Sequence, residues 1–232
     1  MPKLSLVIPC FNEAKNLPLL LARCAALSGS GEVILVDNGS SDETSLVLEK
    51  LLPVYPGVRS VRVERNLGYG YGILSGLRSA GGEILGWTHA DLQTDPQDVL
   101  SGLELFSTHG PDIFVKGRRY GRPVADVFFT MGMSFFETIL LGRSLHDINA
   151  QPTLFSRKFF ESWDNPPHDF SLDLFAYYQA SRAGLAIHRF PVNFGKRAYG
   201  VSSWNVDLKS KVKFIRRTLN YSFELKKSLK KG

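Results

Sequence analysis

The chain has 232 residues, and its 28 Lys and Arg outweigh 22 Asp and Glu for a formal net charge of +6 and a pI near 9.3. That length suits one large domain with ample core, and the charge favours an anionic partner: a nucleotide, a phospholipid surface or a nucleic acid. Two cysteines, Cys10 and Cys24, make no disulfide scaffold and leave a reduced cytoplasm as the simpler setting. The apolar run before Pro9 is too short for a signal sequence, and no stretch has the roughly 18 apolar residues of a spanning helix.

Leu4 to Ile8 reads as a strand covered on both faces, closed by Pro9. A helix starts near Asn16 and Pro18 and runs to about Leu27, where Gly29 and Gly31 break it. Val33 to Val36 is a second buried strand, ending in the turn formers Asp37 to Asp42; Ser41 or Asp42 caps a helix reaching Leu52. Val61 and Val63 alternate with charged neighbours, the pattern of a strand nearer the sheet edge. A helix follows from Tyr71 to Ala80. Ile84 to Trp87 is a short buried strand, after which Thr94 or Asp95 caps a helix from Pro96 to about Ser107. Ile113 to Val115 is the next strand, followed by the basic segment Lys116 to Tyr120. Four β-α units in succession imply an α/β fold with a mainly parallel, Rossmann-like sheet and helices on both faces.

The second half breaks this rhythm. Val127 to Leu141 is apolar on all sides. As a helix it would be about 22 Å long, too short to span a bilayer core, so it is either buried or lies partly in a membrane interface. Thr153 to Phe155 reads as a strand, Ser171 to Ala183 as a helix ended by Gly184, and Ile187 to Pro191 as a last strand. Asn205 can cap a final amphipathic helix with Leu208, Val212, Ile215 and Leu219 on one stripe among Lys and Arg. No repeat or linker marks a second domain. Residues 1–232 are read as one domain, with a nucleotide-binding half over 1–120, an acceptor-side half over 121–205 and a basic amphipathic helix over 206–232.

The densest chemistry lies after the strand that ends at Trp87: His89, Asp91 and Gln93 precede a helix start, and open α/β sheets bind ligands at the carboxyl ends of their strands. Oxygen donors of this kind suit Mg²⁺ or Mn²⁺ better than Zn²⁺. Asp37 ends another strand, so one carboxylate can bind a base or ribose while Asp91 holds a cation against a diphosphate. Arg65, Arg119 and Arg197 can bring positive charge to the same rim. The glycine run Gly68-Tyr69-Gly70-Tyr71-Gly72 is a weak dinucleotide signal: it follows the third strand and lacks the third glycine at the required spacing. There is no GxxxxGK[ST] loop, no zinc spacing and no nucleic-acid signature.

Several segments in this order match one family's motifs. They are Ile8-Pro9-Cys10-Phe11-Asn12-Glu13, Val36-Asp37-Asn38-Gly39-Ser40-Ser41-Asp42, Arg65-Asn66-Leu67-Gly68, Ala90-Asp91-Leu92-Gln93, Arg119-Tyr120 and Arg197-Ala198-Tyr199-Gly200-Val201-Ser202. The chain resembles the family 2 glycosyltransferases of the GT-A fold, especially the dolichyl- or polyprenyl-phosphate sugar synthase branch. The resemblance implies that Pro9, Phe11, Glu13, Asp37, Ser40, Gly68, Ala90, Asp91, Arg119, Arg197 and Ser202 contact the nucleotide-sugar, with the loop at Arg197 and Ser202 closing over the donor. It implies a Mg²⁺ or Mn²⁺ site at Asp91 with help from His89 and Gln93. It makes Asp91 and Asp173 the catalytic carboxylates, Asp173 orienting or deprotonating the acceptor. In two places the chain departs from the family: His89 replaces the first metal-site Asp, and Ser203 stands where a phosphate-binding Lys often follows.

The implied activity is inverting transfer of a hexose from a GDP- or UDP-sugar to a polyprenyl phosphate, at the cytoplasmic face of an anionic membrane surface. Transfer to a sugar hydroxyl of a glycan is the alternative. A degenerate nucleotide-sugar binder is the non-enzymatic one. Nucleic acid is not expected as a partner.

Overall fold

A computed structural model describes residues 3–198 and 208–229. The expected roles of Ser202 and Asn205, and the end of the basic tail, lie outside the described residues. So do the side chains of Leu208, Val212 and Ile215.

Seven strands form one sheet: β1 (Leu4–Cys10), β2 (Gly31–Asn38), β3 (Val58–Val63), β4 (Ile84–Trp87), β5 (Ile113–Tyr120), β6 (Thr153–Ser156) and β7 (Ala186–Asn193). Their order is β3-β2-β1-β4-β6-β5-β7. β3 stands at one edge, as its alternation with charged residues predicts. All pairings are parallel except those of β6, which runs antiparallel between β4 and β5.

Helices cover both faces. On one, α1 (Leu17–Cys24), α2 (Thr44–Leu51) and α4 (Val99–His109) pack against Leu4, Leu6 and Ile8 of β1. On the other, α3 (Tyr69–Ser79), α6 (Arg157–Glu161) and α7 (Leu172–Arg182) pack against Val7, Ile34 and Phe114. Successive strand residues point to opposite faces, so a strand buried on both sides reads as the unbroken apolar run seen at Leu4 to Ile8. Gly184, at φ +76°, ends α7 as expected.

Three expectations are corrected. β5 continues through Lys116 to Tyr120 instead of stopping at Val115, because β7 pairs with it along that whole length. α6 has no counterpart among the predicted elements; Ser156 caps it by accepting from the Phe159 amide at 3.4 Å. The apolar helix begins earlier, as α5 (Val124–Leu141), and it is not buried all round. Its inner side carries the buried Ser134, Glu137 and Leu141, and α8 (Leu208–Leu229) packs there, with Ser222 donating to Glu137 at 2.6 Å. Its outer side is open.

Candidate active site

The carboxyl ends of β1, β2 and β4 lie side by side. Cys10 is in register with Asp37, Val7 with Trp87, and the Thr88 amide donates to the Val7 carbonyl at 3.1 Å. The loops that leave these ends are laced together. Asn12, at φ +58°, accepts through its side chain from the Ser41 amide at 2.8 Å, and its own amide donates to Ser40 Oγ at 3.0 Å. The Glu13 amide donates to Thr44 Oγ1 at 2.9 Å. Both oxygens of the buried Asp37 are engaged, by the Ser40 amide of its own turn at 3.0 Å and by the hydroxyl of Ser45 in α2. Asp37 and Ser40 thus shape the loop. Pro9 does not close β1 as expected but lies within it, paired in register with Val36, and Phe11, 46% exposed, projects from the rim. Burial raises the Glu13 carboxyl above its usual range, and the nearby Asp91 adds to this.

Asp91 sits where β4 gives way to its loop, beside the buried Ala90. One carboxylate oxygen accepts from the Gln93 amide at 3.1 Å, and the other meets the Arg197 guanidinium at 2.8 Å. The segment carrying Arg197 is fastened to the same loop: the Gly195 amide donates to the Gln93 carbonyl at 2.7 Å, and Gln93 Nε2 donates to the Gly195 carbonyl at 3.2 Å. Asp91, Gln93 and Arg197, which the sequence places in one site, therefore come together. His89 stacks on Tyr69 at 5.7 Å, and Tyr69 stacks on Phe170 at 4.6 Å. Burial lowers the His89 pKa, which favours the neutral ring, the form that serves as a ligand.

Other expected residues have partners of their own. Gly68, at φ +117°, is held by packing, since a Cβ there would come within 2.3 Å of the His168 carbonyl. That close approach accounts for the start of the glycine run. Arg119 is paired in fork fashion with Asp147 and lies 5.2 Å from the Phe194 ring. Arg122 and Arg189 also face Asp147, at 3.7 and 3.9 Å. Burial alone would raise the Asp147 carboxyl, but the Arg119 hydrogen bond and the three guanidinium charges hold it below the usual range. Asp95 acts as the cap it is expected to be, accepting from the Gln97 amide at 3.0 Å.

Asp173 is buried beneath the site. It accepts from Gln151 Nε2 at 2.7 Å and Trp87 Nε1 at 3.3 Å, and Lys116 Nζ stands 4.0 Å away. Lys116 is fully buried and donates to Thr153 Oγ1 at 2.8 Å. Burial drops its pKa to about 8 despite the Asp173 charge, and burial pushes the Asp173 carboxyl up. Sequence reasoning misses this network because it ends the strand at Val115, one residue before Lys116. The available signal is parity: Lys116 is two residues after Phe114, so on a continuing strand it faces the same packed side.

Among solved structures the chain is similar to glucosyl-3-phosphoglycerate synthase from Mycobacterium tuberculosis in complex with Mn²⁺, UDP and glucosyl-3-phosphoglycerate. The TM-score is 0.72 at 21% identity, over 97% of this chain and 80% of that one. It is also similar to a mannosyltransferase from Pyrobaculum calidifontis in complex with GDP-Man and Mn²⁺ (TM-score 0.64, 18% identity, 86% and 58% coverage). These likenesses establish the GT-A fold.

In sequence, the undecaprenyl-phosphate 4-deoxy-4-formamido-L-arabinose transferase of Proteus mirabilis is 37% identical over 102 residues, and that of Serratia proteamaculans 38% over 103. Each alignment takes in 42% of this chain, which spans only 31% of the relatives' length. The model of one family, glycosyl transferase family 2, matches residues 5–164, from β1 past β6, and so takes in the laced loops, Asp91 and Lys116 together. With that match over most of its length and the GT-A fold beneath it, the chain belongs to glycosyl transferase family 2.

Proposed function

We propose that the protein is an inverting glycosyltransferase that moves a sugar from a nucleotide diphospho-sugar to a polyprenyl phosphate. The observation that carries this reading is the nearly buried Asp91 at the β4 end, with Arg197 strapped beside it. A carboxylate and a guanidinium are the pair needed to hold a cation and a diphosphate together. The lipid acceptor is supported by the relatives, which are named for undecaprenyl phosphate.

The donor set fits Mg²⁺ or Mn²⁺. Among the described residues no three His, Cys, Asp or Glu gather as a self-sufficient cage, but a single carboxylate completed by substrate phosphates is a common arrangement for these ions. Asp91 would hold the ion, with His89 and Gln93 beside it, and the His89 nitrogen favours Mn²⁺. When bound, the cation supplies neutralisation of the charge that grows on the leaving diphosphate. The chain itself contributes Arg197 against the same phosphates, and the laced loops at Phe11, Glu13 and Ser40 as a rigid wall for the nucleoside. An oxygen of the acceptor phosphate forms the new bond to the anomeric carbon as the bond to the diphosphate breaks. A phosphate monoester is mostly ionised at pH 7, so no base is required. Asp173, buried and bonded on two sides, accordingly acts as a positioning group for Gln151 and Trp87.

The test is release of nucleoside diphosphate from a panel of GDP- and UDP-sugars, hexose and pentose, with undecaprenyl phosphate present and Mn²⁺, Mg²⁺ or a chelator added. Turnover is expected only with metal and lipid phosphate together, and Asp91→Asn should lower it by about 10²-fold or more with an unchanged fold. His89→Asp should move the preference from Mn²⁺ toward Mg²⁺. Near-native turnover by Asp91→Asn, or full activity in chelator, would remove the reading.

A further inference from the structure

α5 carries a line of large, exposed apolar side chains. Val124 is 70% exposed, Phe128 68%, Met131 60%, Phe135 68% and Ile139 65%. Their spacing of three or four residues puts all five on one side of the helix, along nearly its whole length of about 27 Å. The line does not arise from a detached helix: the opposite side is held by Ser222 on Glu137, by the Asp147 amide on Ser134 Oγ at 3.1 Å, and by burial of Leu141. Monomeric proteins rarely leave so continuous an apolar surface open without a use for it.

What covers the line is indicated by its neighbour. Phe223 of α8 is 48% exposed and meets Phe136 of α5 at 6.3 Å, so the two helices present adjoining surfaces. Helical spacing places Arg216 and Lys227 on the same side of α8 as Phe223, and both are exposed. Residues 208–232 hold nine Lys or Arg and one Glu, a net charge of +8; the other 207 residues hold nineteen against twenty-one and are net −2. The excess positive charge of the chain thus lies entirely in the segment that begins with α8, the helix packed on α5. A second copy of this chain seated on α5 would bring two such segments together and be repelled. An anionic bilayer supplies both an apolar interior and opposite charge. None of the described helices is long and apolar enough to cross a membrane, so the contact is in-plane.

We propose that α5 and the adjoining side of α8 form one docking surface for an anionic lipid bilayer. In this arrangement Phe128, Met131 and Phe135 enter the acyl boundary, and Arg216 and Lys227 sit among the headgroups. Such docking does not depend on the proposed reaction, but it complements it. α5 follows directly on β5, whose end carries Arg119, so docking by α5 sets that rim of the fold toward a phosphate anchored in the same bilayer.

The experiment uses the whole chain with phosphatidylcholine vesicles, with and without phosphatidylglycerol, containing no polyprenyl phosphate and no donor. Its outcome is therefore independent of turnover. Co-sedimentation is expected with phosphatidylglycerol present, weakening as salt is raised, and falling on the order of tenfold or more in Phe128→Ser/Phe135→Ser. A second measurement keeps the native apolar line nearly whole. An environment-sensitive dye on Met131→Cys should shift to the blue on vesicles, while the same dye on Glu104→Cys of α4, exposed on the opposite face of the sheet, should not. The native Cys10 and Cys24 are buried and should not compete for the label. Equal sedimentation with both vesicle types, an unshifted dye at position 131, native binding by the double serine variant, or a dimer that this variant turns into monomer without loss of vesicle binding would each overturn the proposal.

Discussion

Asp91 and Lys116 show how differently two charged side chains can declare themselves. Asp91 follows an apolar strand and precedes a cap, so its place at a strand end is legible in the sequence, as is its company with Gln93 and Arg197. Lys116, Gln151 and Trp87 are not legible as a group, because a buried cation on a strand is identified only by which strands flank it. Breaking a buried ion pair is strongly destabilising, by about 3–5 kcal/mol. Asp173→Asn, which strands Lys116, should therefore lower Tm sharply, and Lys116→Met/Asp173→Asn should recover part of the loss. Below its melting point Asp173→Asn should keep kcat close to native, since an ionised acceptor needs no base; a fall of about 10²–10⁴-fold would instead mark a hydroxyl acceptor. Lys116 also gives a pH signature. Its pKa is about 8 in the folded chain against 10.5 ordinarily. Between those values the unfolded chain holds the proton and the folded chain does not, so this group makes stability rise with pH across that window. Below about 8 both states are protonated and its unfavourable contribution is constant. The Tm difference between native chain and Lys116→Met should thus move in favour of the native chain from pH 8 to 10, and a flat difference would contradict the burial of this ammonium group.

At the level of elements, the four β-α units are readable because apolar runs and turn formers alternate without interruption through residue 107. Legibility falls where period and length do not decide between alternatives. β5 looks short in the sequence because Lys116 to Tyr120 are polar or charged, yet pairing with β7 overrides that composition. α5 looks apolar all round because a helix that packs on one side and leaves large apolar groups open on the other has no polar stripe to reveal it. The glycine run of α3 suggests a dinucleotide loop, and its first glycine instead admits the backbone at His168. In each case the missing information is the identity of the neighbouring segment, which a local window does not contain.

Across the whole molecule, the antiparallel β6 is what joins the laced loops to the rest. It lies between β4, which leads into Asp91, and β5, whose last residues include Arg119. This position has a consequence for the order in which the molecule can be made. As the chain leaves the ribosome, β1 to β4 can assemble by local parallel units, but the open side of β4 has no partner until residues 153–156 have emerged. For some sixty-five residues of synthesis, a wholly buried strand of the future sheet is an edge, and unpaired edges invite pairing with other chains. A fragment ending at residue 120 should therefore aggregate on expression, and one ending at residue 198 should remain dispersed, as judged by sedimentation of the lysate. A soluble, folded 1–120 fragment would show that β4 can do without β6.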